Sequence, residues 1–167
     1  MGCVASQDEV IAQRGEWRRS GKRVIFVSGV FDLLHPGHIR LLEQARELGD
    51  ILVVAVQSDR SVRRAHGCHE GRLRSSLGRP ITPAAERAEI LAALAGVDYA
   101  VEFDGPTPRS LLSRLSPDVV VKGRDRGSDQ SVSREDEKAA GGKILQIPLE
   151  PGYSTSRLIT RITESHA

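Results

Sequence analysis

The sequence predicts a single Rossmann-like α/β domain, doubly wound around a mainly parallel sheet of five strands. Three observations point to it. Short apolar, β-branched runs alternate with stretches of helical periodicity along the chain, the order that builds a parallel sheet covered on both faces. The run at residues 51–56, Ile-Leu-Val-Val-Ala-Val, is apolar without interruption, as a strand buried on both faces must be. Crossovers between parallel strands are right-handed almost without exception, which distributes the helices over both sides.

The elements follow in order. A helix is expected over residues 7–19, then a strand at 23–28. The next helix, 36–48, carries Leu41, Leu42 and Ala45 on its buried stripe and is stopped by Gly49-Asp50. After the strand at 51–56 comes a short helix at 59–64, with Asp59 as its cap. Thr82-Pro83-Ala84-Ala85-Glu86 reads as an N-cap, a proline at the first helical position and an acidic first turn, opening a helix to about residue 95. Strands at 99–103, 119–122 and 143–147 alternate with helices at 106–115, 133–140 and 154–163. Residues 1–20 read as an N-terminal helical extension, and 21–167 as the main domain. Ligands in such sheets bind at the carboxyl ends of the strands, where every motif below falls.

Composition bounds the function. With 167 residues, 39% hydrophobic and 28% charged, the chain buries a continuous core and is not disordered. A net charge of +2 provides no global field to recruit nucleic acid or membrane. The basic residues cluster, however: Arg60, Arg63, Arg64, Arg72, Arg74 and Arg79 stand against the single acid Glu70. The segment at about 63–81 is therefore expected to be a basic, mobile loop suited to a polyanion. It contains no aromatic residue to stack a base, which counts against single-stranded nucleic acid as its ligand. Cys3 and Cys68 give no disulfide framework, so a reducing, cytoplasmic setting is expected. No apolar run approaches the ~18 residues of a membrane span. His66, Cys68 and His69 lie together in the basic segment, but a zinc site needs three or four ligands, and no metal-ligating set is assigned.

The chemistry concentrates in Gly29-Val30-Phe31-Asp32-Leu33-Leu34-His35-Pro36-Gly37-His38, which joins the first main strand to its helix. Pro36 presets the first helical turn. His35 and His38, three apart, can lie on one side of that turn. Free amides and the positive end of the helix dipole favour phosphate there. Gly37 has no side chain to keep a phosphate from the backbone. Ser154-Thr155-Ser156 opens the final helix after Gly152 and supplies hydroxyls and amides for a second anion site. Arg87, in the first turns of the helix after Pro83, can grip phosphate in a bidentate manner.

The decapeptide from Gly29 to His38 resembles the signature of the cytidylyltransferase-like nucleotidyltransferases. Further stretches make the chain most similar to the D-glycero-β-D-manno-heptose 1-phosphate adenylyltransferases of ADP-heptose synthesis. They are Gly78-Arg79-Pro80-Ile81-Thr82-Pro83, Glu86-Arg87, Val121-Lys122-Gly123, Ala139-Ala140-Gly141-Gly142-Lys143 and Gly152-Tyr153-Ser154-Thr155-Ser156.

This resemblance implies transfer of AMP from ATP to a sugar 1-phosphate, with release of pyrophosphate. It implies His35, His38 and Arg87 as catalytic residues. Nucleotide binding falls to Gly29, Val30, Phe31, Gly37, His38, Lys122, Gly123, Asp125, Ser154, Thr155 and Ser156, and acceptor binding to Asp32, Arg63, Arg64 and Arg79. Mg²⁺ is expected on the triphosphate, with Asp32 as its nearest protein neighbour, and the assembly is expected to be a homodimer. Two positions depart from the pattern: Arg126 stands where many members carry an aromatic, and Leu149 where glycerol-3-phosphate cytidylyltransferases carry arginine. The alternatives are a cytidylyltransferase or FAD-synthetase-like enzyme with another phosphorylated acceptor, and a nucleotide-binding module without turnover.

Overall fold

The computed structural model describes residues 1–65, 78–124, 138 and 141–165. Its strands are β1 (Cys3–Val4), β2 (Val24–Gly29), β3 (Ile51–Gln57), β4 (Tyr99–Phe103), β5 (Val119–Arg124) and β6 (Lys143–Pro148). Its helices are α1 (Gln7–Arg19), α2 (Pro36–Arg46), α3 (Asp59–Ala65), α4 (Ala84–Ala92), α5 (Arg109–Leu115) and α6 (Thr155–Glu164). The expected helix at 133–140, apart from residue 138, and most of the basic segment, 66–77, lie outside the described residues.

The strands form one sheet in the order β1-β4-β3-β2-β5-β6, with every pairing parallel. Alternate residues of the central strands feed two separate cores. Ile25, Val27, Leu52, Val54 and Val56 meet Leu41, Leu42 and Ala45 of α2 and Ala88 and Leu91 of α4. The intervening Val24, Phe26, Val53 and Ala55 meet Val10 and Trp17 of α1 and Leu111, Leu112 and Leu115 of α5. This two-sided burial is why β3 is apolar at every position but its last. The chain passes from β2 to β3 on one side and later places β5 on the other. The crevice at the carboxyl ends of β2 and β5 is thus the topological switch point, where open α/β sheets bind ligands.

Among the described residues the sheet has six strands rather than the five expected. The addition, β1, is two residues long and lies parallel to β4, too short to carry a period-2 signal. Backbone pairing holds it: the amides of Gly2, Cys3 and Ala5 donate to the carbonyls of Ala92, Asp98 and Ala100. Gly2 is needed for this approach, since a Cβ there would lie 2.2 Å from the Val97 carbonyl oxygen.

Three helix starts also differ from expectation. Pro83 occupies the N-cap of α4 rather than its first turn, and no side chain caps that helix. Thr82 lies one residue before that N-cap, its amide donating to Asp32 and its carbonyl accepting from Arg87. α4 itself ends at Ala92, and α5 begins at Arg109. Ser58, not Asp59, caps α3, accepting from the Ser61 amide at 3.2 Å. Asp59 turns instead to Arg87.

Candidate active site

The loop between β2 and α2 is shaped by its own sequence. Phe31 has φ +50°, a left-handed conformation that a bulky residue adopts only when its surroundings hold it there. Its ring is 4% exposed, covers Gly29 and meets the His38 ring edge-on at 5.2 Å. A Cβ on Gly29 would fall 2.9 Å from that ring, so glycine is required for Phe31 to fold back. His35 is the N-cap of α2, and its Nδ1 accepts from the His38 amide at 3.3 Å. Histidine is not among the residues preferred at an N-cap, so the sequence does not mark this role. Gly37 makes room for the His35 ring: a Cβ there would lie 3.1 Å from His35 Nδ1 and 3.4 Å from Tyr153 Cβ.

The two imidazoles stack at 3.7 Å with planes 15° apart. Burial lowers the pKa of His35, and burial together with the His35 charge lowers that of His38 to about 4. Both rings are therefore neutral near pH 7. His35 Nδ1 is an acceptor, and His38 Nδ1 is sealed with no hydrogen-bond partner among the described residues. A proton on an unpartnered buried nitrogen is disfavoured. Each ring therefore carries its N–H on Nε2, the atom left to donate to a ligand.

Opposite the histidines stands the start of α6. Ser154 is its N-cap, accepting from the Arg157 amide at 3.2 Å, and the first amides of a helix have no intrahelical partner. A cavity of about 450 Å³ lies between the two helix starts, lined by Val30, His35, His38, Arg79, Leu149 and residues 150–156. Two positive helix ends and two imidazole N–H groups facing one space make an anion cradle. Tyr153 stands at its rim, its ring 6.4 Å from that of His35 with the Arg40 guanidinium over it at 5.8 Å. Arg40 is in turn paired with Glu150 at 2.6 Å, tying α2 to the loop before α6.

The structure thus brings Val30, His35, His38, Arg79, Ser154, Thr155 and Ser156 together. Other predicted residues sit elsewhere. Gly29 and Phe31 lie beneath the loop and shape it. Lys122 and Gly123 end β5, and Gly123 backs the cavity through Leu149, whose Cδ2 would lie 2.7 Å from an added Cβ. Arg63 and Arg64 are exposed on the last turn of α3. Asp125, Arg126, His66, Cys68 and His69 lie outside the described residues.

Asp32 has a fully buried side chain. Its carboxylate accepts from the Ile81 amide at 2.7 Å, the Thr82 amide at 3.0 Å and Arg79 Nε at 3.1 Å. Arg87 is likewise sealed, 1% exposed, while its neighbour Glu86 is exposed. The signal for this was in the sequence: Ala84, Arg87, Ala88 and Leu91 are all buried and share the stripe of one helix face. Among the described residues no three His, Cys, Asp or Glu side chains converge on a metal position.

Three comparisons bear on this geometry. The family model described as cytidylyltransferase-like matches residues 26–161. The bifunctional protein HldE of Koribacter versatilis (strain Ellin345) is 44% identical over 158 residues, covering 95% of this chain and 31% of that protein. The bifunctional protein HldE of Acidiphilium cryptum (strain JF-5) is 46% identical over 146 residues, covering 87% of this chain and 28% of that protein. The chain thus spans about a third of the length of these relatives. Among solved structures, the lipopolysaccharide core biosynthesis protein from Thermoplasma volcanium GSS1 is similar with a TM-score of 0.59 and 27% identity, over 78% of this chain and 98% of that one. The pantoate-beta-alanine ligase from Francisella tularensis shares the fold, with a TM-score of 0.56 and 13% identity over 98% of this chain and 78% of that one.

Proposed function

The chain belongs to the cytidylyltransferase-like family of nucleotidyltransferases, and from that membership we propose that it transfers AMP from ATP to D-glycero-β-D-manno-heptose 1-phosphate, giving ADP-heptose and pyrophosphate. The observation that carries the reading is the cavity in which His35 and His38 face the Ser154–Ser156 helix start. The heptose acceptor rests on the sequence resemblance. It agrees with the likeness to a lipopolysaccharide core biosynthesis protein. The same reading carries with it a homodimer working in the cytoplasm.

In this mechanism a phosphate oxygen of the acceptor attacks the α-phosphorus of ATP in line. The new P–O bond forms as the bond to the β-phosphate oxygen breaks, and pyrophosphate leaves. The nucleophile is already anionic near neutral pH, so no general base and no covalent enzyme intermediate is needed. Catalysis reduces to positioning and to stabilising charge on the departing side. His35 and His38 donate from Nε2 to the phosphates, aided by the positive end of α2. The start of α6 holds the opposite side. The His38 amide is already committed to His35, so α2 contributes through its dipole and its imidazoles more than through that N–H. Arg79, at the cavity wall, is the candidate contact to the acceptor phosphate, with Arg63 and Arg64 as outlying members of the same basic surface.

Among the described residues no three His, Cys, Asp or Glu side chains converge on a metal position, and the Asp32 carboxylate is already engaged by three donors. A divalent ion such as Mg²⁺ would be held mainly by the triphosphate itself and would supply neutralisation of part of its charge.

The test is pyrophosphate release measured with ATP and CTP against heptose 1-phosphate, glycerol 3-phosphate and other phosphorylated acceptors. Release is expected with ATP and heptose 1-phosphate together. Faster release with CTP or another acceptor would replace the proposed substrate pair, and tight ATP binding with no release from any pair would leave a binding module.

A further inference from the structure

Resting on the nucleotidyltransferase reading, we propose that Arg87 is a positioning residue: it locks the loop that carries His35 and His38 without touching the nucleotide. All three guanidinium nitrogens are bonded to protein. Nε donates to the Thr82 carbonyl at 2.8 Å, Nη1 to the Val30 carbonyl, and Nη2 to Asp59 Oδ1 at 2.6 Å. The side chain is 0% exposed. Its partners come from three parts of the chain: the β2–α2 loop, the start of α3 and the approach to α4. Turning this fork toward a triphosphate would mean abandoning Asp59 and leaving buried carbonyls unpaired, a costly exchange.

What the fork fixes is the most strained stretch of the loop. The gripped carbonyl belongs to Val30, and the next residue is Phe31, at φ +50° with its ring against His38. Asp32 follows, held by Arg79 and by the amides of Ile81 and Thr82. Thr82 serves both ends, its amide bonded to Asp32 and its carbonyl to Arg87. A continuous run of hydrogen bonds thus joins the end of the basic segment to Val30 and Asp32 of the loop, and the Phe31 ring between them packs against His38. The planar fork is what spans three acceptors, and lysine cannot reproduce it.

The proposal is tested with Arg87→Lys and Asp59→Asn in the full chain, read in two ways. The first is the ring spectrum of His38 and Phe31 by NMR with no nucleotide present. Both variants are expected to shift these resonances. The second is pyrophosphate release: kcat should fall roughly tenfold to a hundredfold, with the KM for ATP changed by less than about threefold. The double variant should be no slower than the worse single one, because both changes break the same fork. Asp59→Asn also carries the test if Arg87→Lys does not fold. A direct phosphate contact predicts the opposite pattern. Ring resonances would stay put, Arg87→Lys would weaken ATP binding about tenfold or more, and Asp59→Asn would strengthen it by releasing the guanidinium. Unchanged ring resonances in a folded variant overturn the proposal. The spectrum needs neither nucleotide nor acceptor, so a failure of the proposed reaction is told apart from a failure of this role.

Discussion

The imidazoles of His35 and His38 lie face to face, their centroids 3.7 Å apart, in a site that burial has made unfavourable to charge. Two neutral donors, rather than two cations, are what this pair presents to a ligand. For His38 the ordinary value of 6.5 is lowered to about 4. Between these values the unfolded chain binds a proton that the folded protein does not. Stability from this group is therefore full above about pH 6.5 and falls as pH drops toward about 4. His38→Gln should flatten that part of the stability profile in thermal unfolding. A slope equal to that of the parent would contradict the burial account.

Removing the ring outright tests its chemical role. Loss of one preorganised donor aimed at developing charge typically costs about 10²–10³ in rate. His38→Ala is expected to lose at least that much turnover in steady-state pyrophosphate release while keeping its circular dichroism spectrum. Near-normal turnover in the folded variant would remove His38 from the mechanism.

Phe31 connects stability to the site. It is 4% exposed and packs on both Gly29 and His38. Phe31→Ala keeps the left-handed backbone cost and loses the packing, so urea unfolding should show a loss of about 3–5 kcal/mol. A loss below about 1 kcal/mol would mean that the ring does not hold the loop.

Gly37 tests the space around His35. An added Cβ would lie 3.1 Å from His35 Nδ1, and the ring must move to accommodate it. Gly37→Ala is expected to weaken ATP binding by calorimetry, whereas Gly78→Ala, where nothing lies within 4 Å of an added Cβ, should not. Equal affinities for the two variants would show that the ring position does not matter.

Much of this was legible in the sequence because the responsible forces are local. The run at 51–56 announces a strand buried on both faces, and β3 (Ile51–Gln57) is buried throughout. His35 and His38, three apart at a helix start, are expected on one turn from their spacing alone, while their face-to-face stacking comes from His35 capping that helix with extended backbone. What was not legible depends on distant partners. β1 is held by carbonyls some ninety residues away. Asp32 reads as an available carboxylate until its three donors, from residues 79–82, are seen. Arg87 reads as a phosphate ligand by its charge, and only its place on the apolar stripe of α4 indicates that it points inward.

The central claim is that the cavity between His35, His38 and the start of α6 holds the nucleotide's phosphates. The most direct test is a crystal structure with a non-hydrolysable ATP analogue and Mg²⁺. The phosphates should lie about 2.7–3.2 Å from Nε2 of both histidines and from the amides that open α6. Phosphates bound elsewhere, or rings turned away from them, would contradict it.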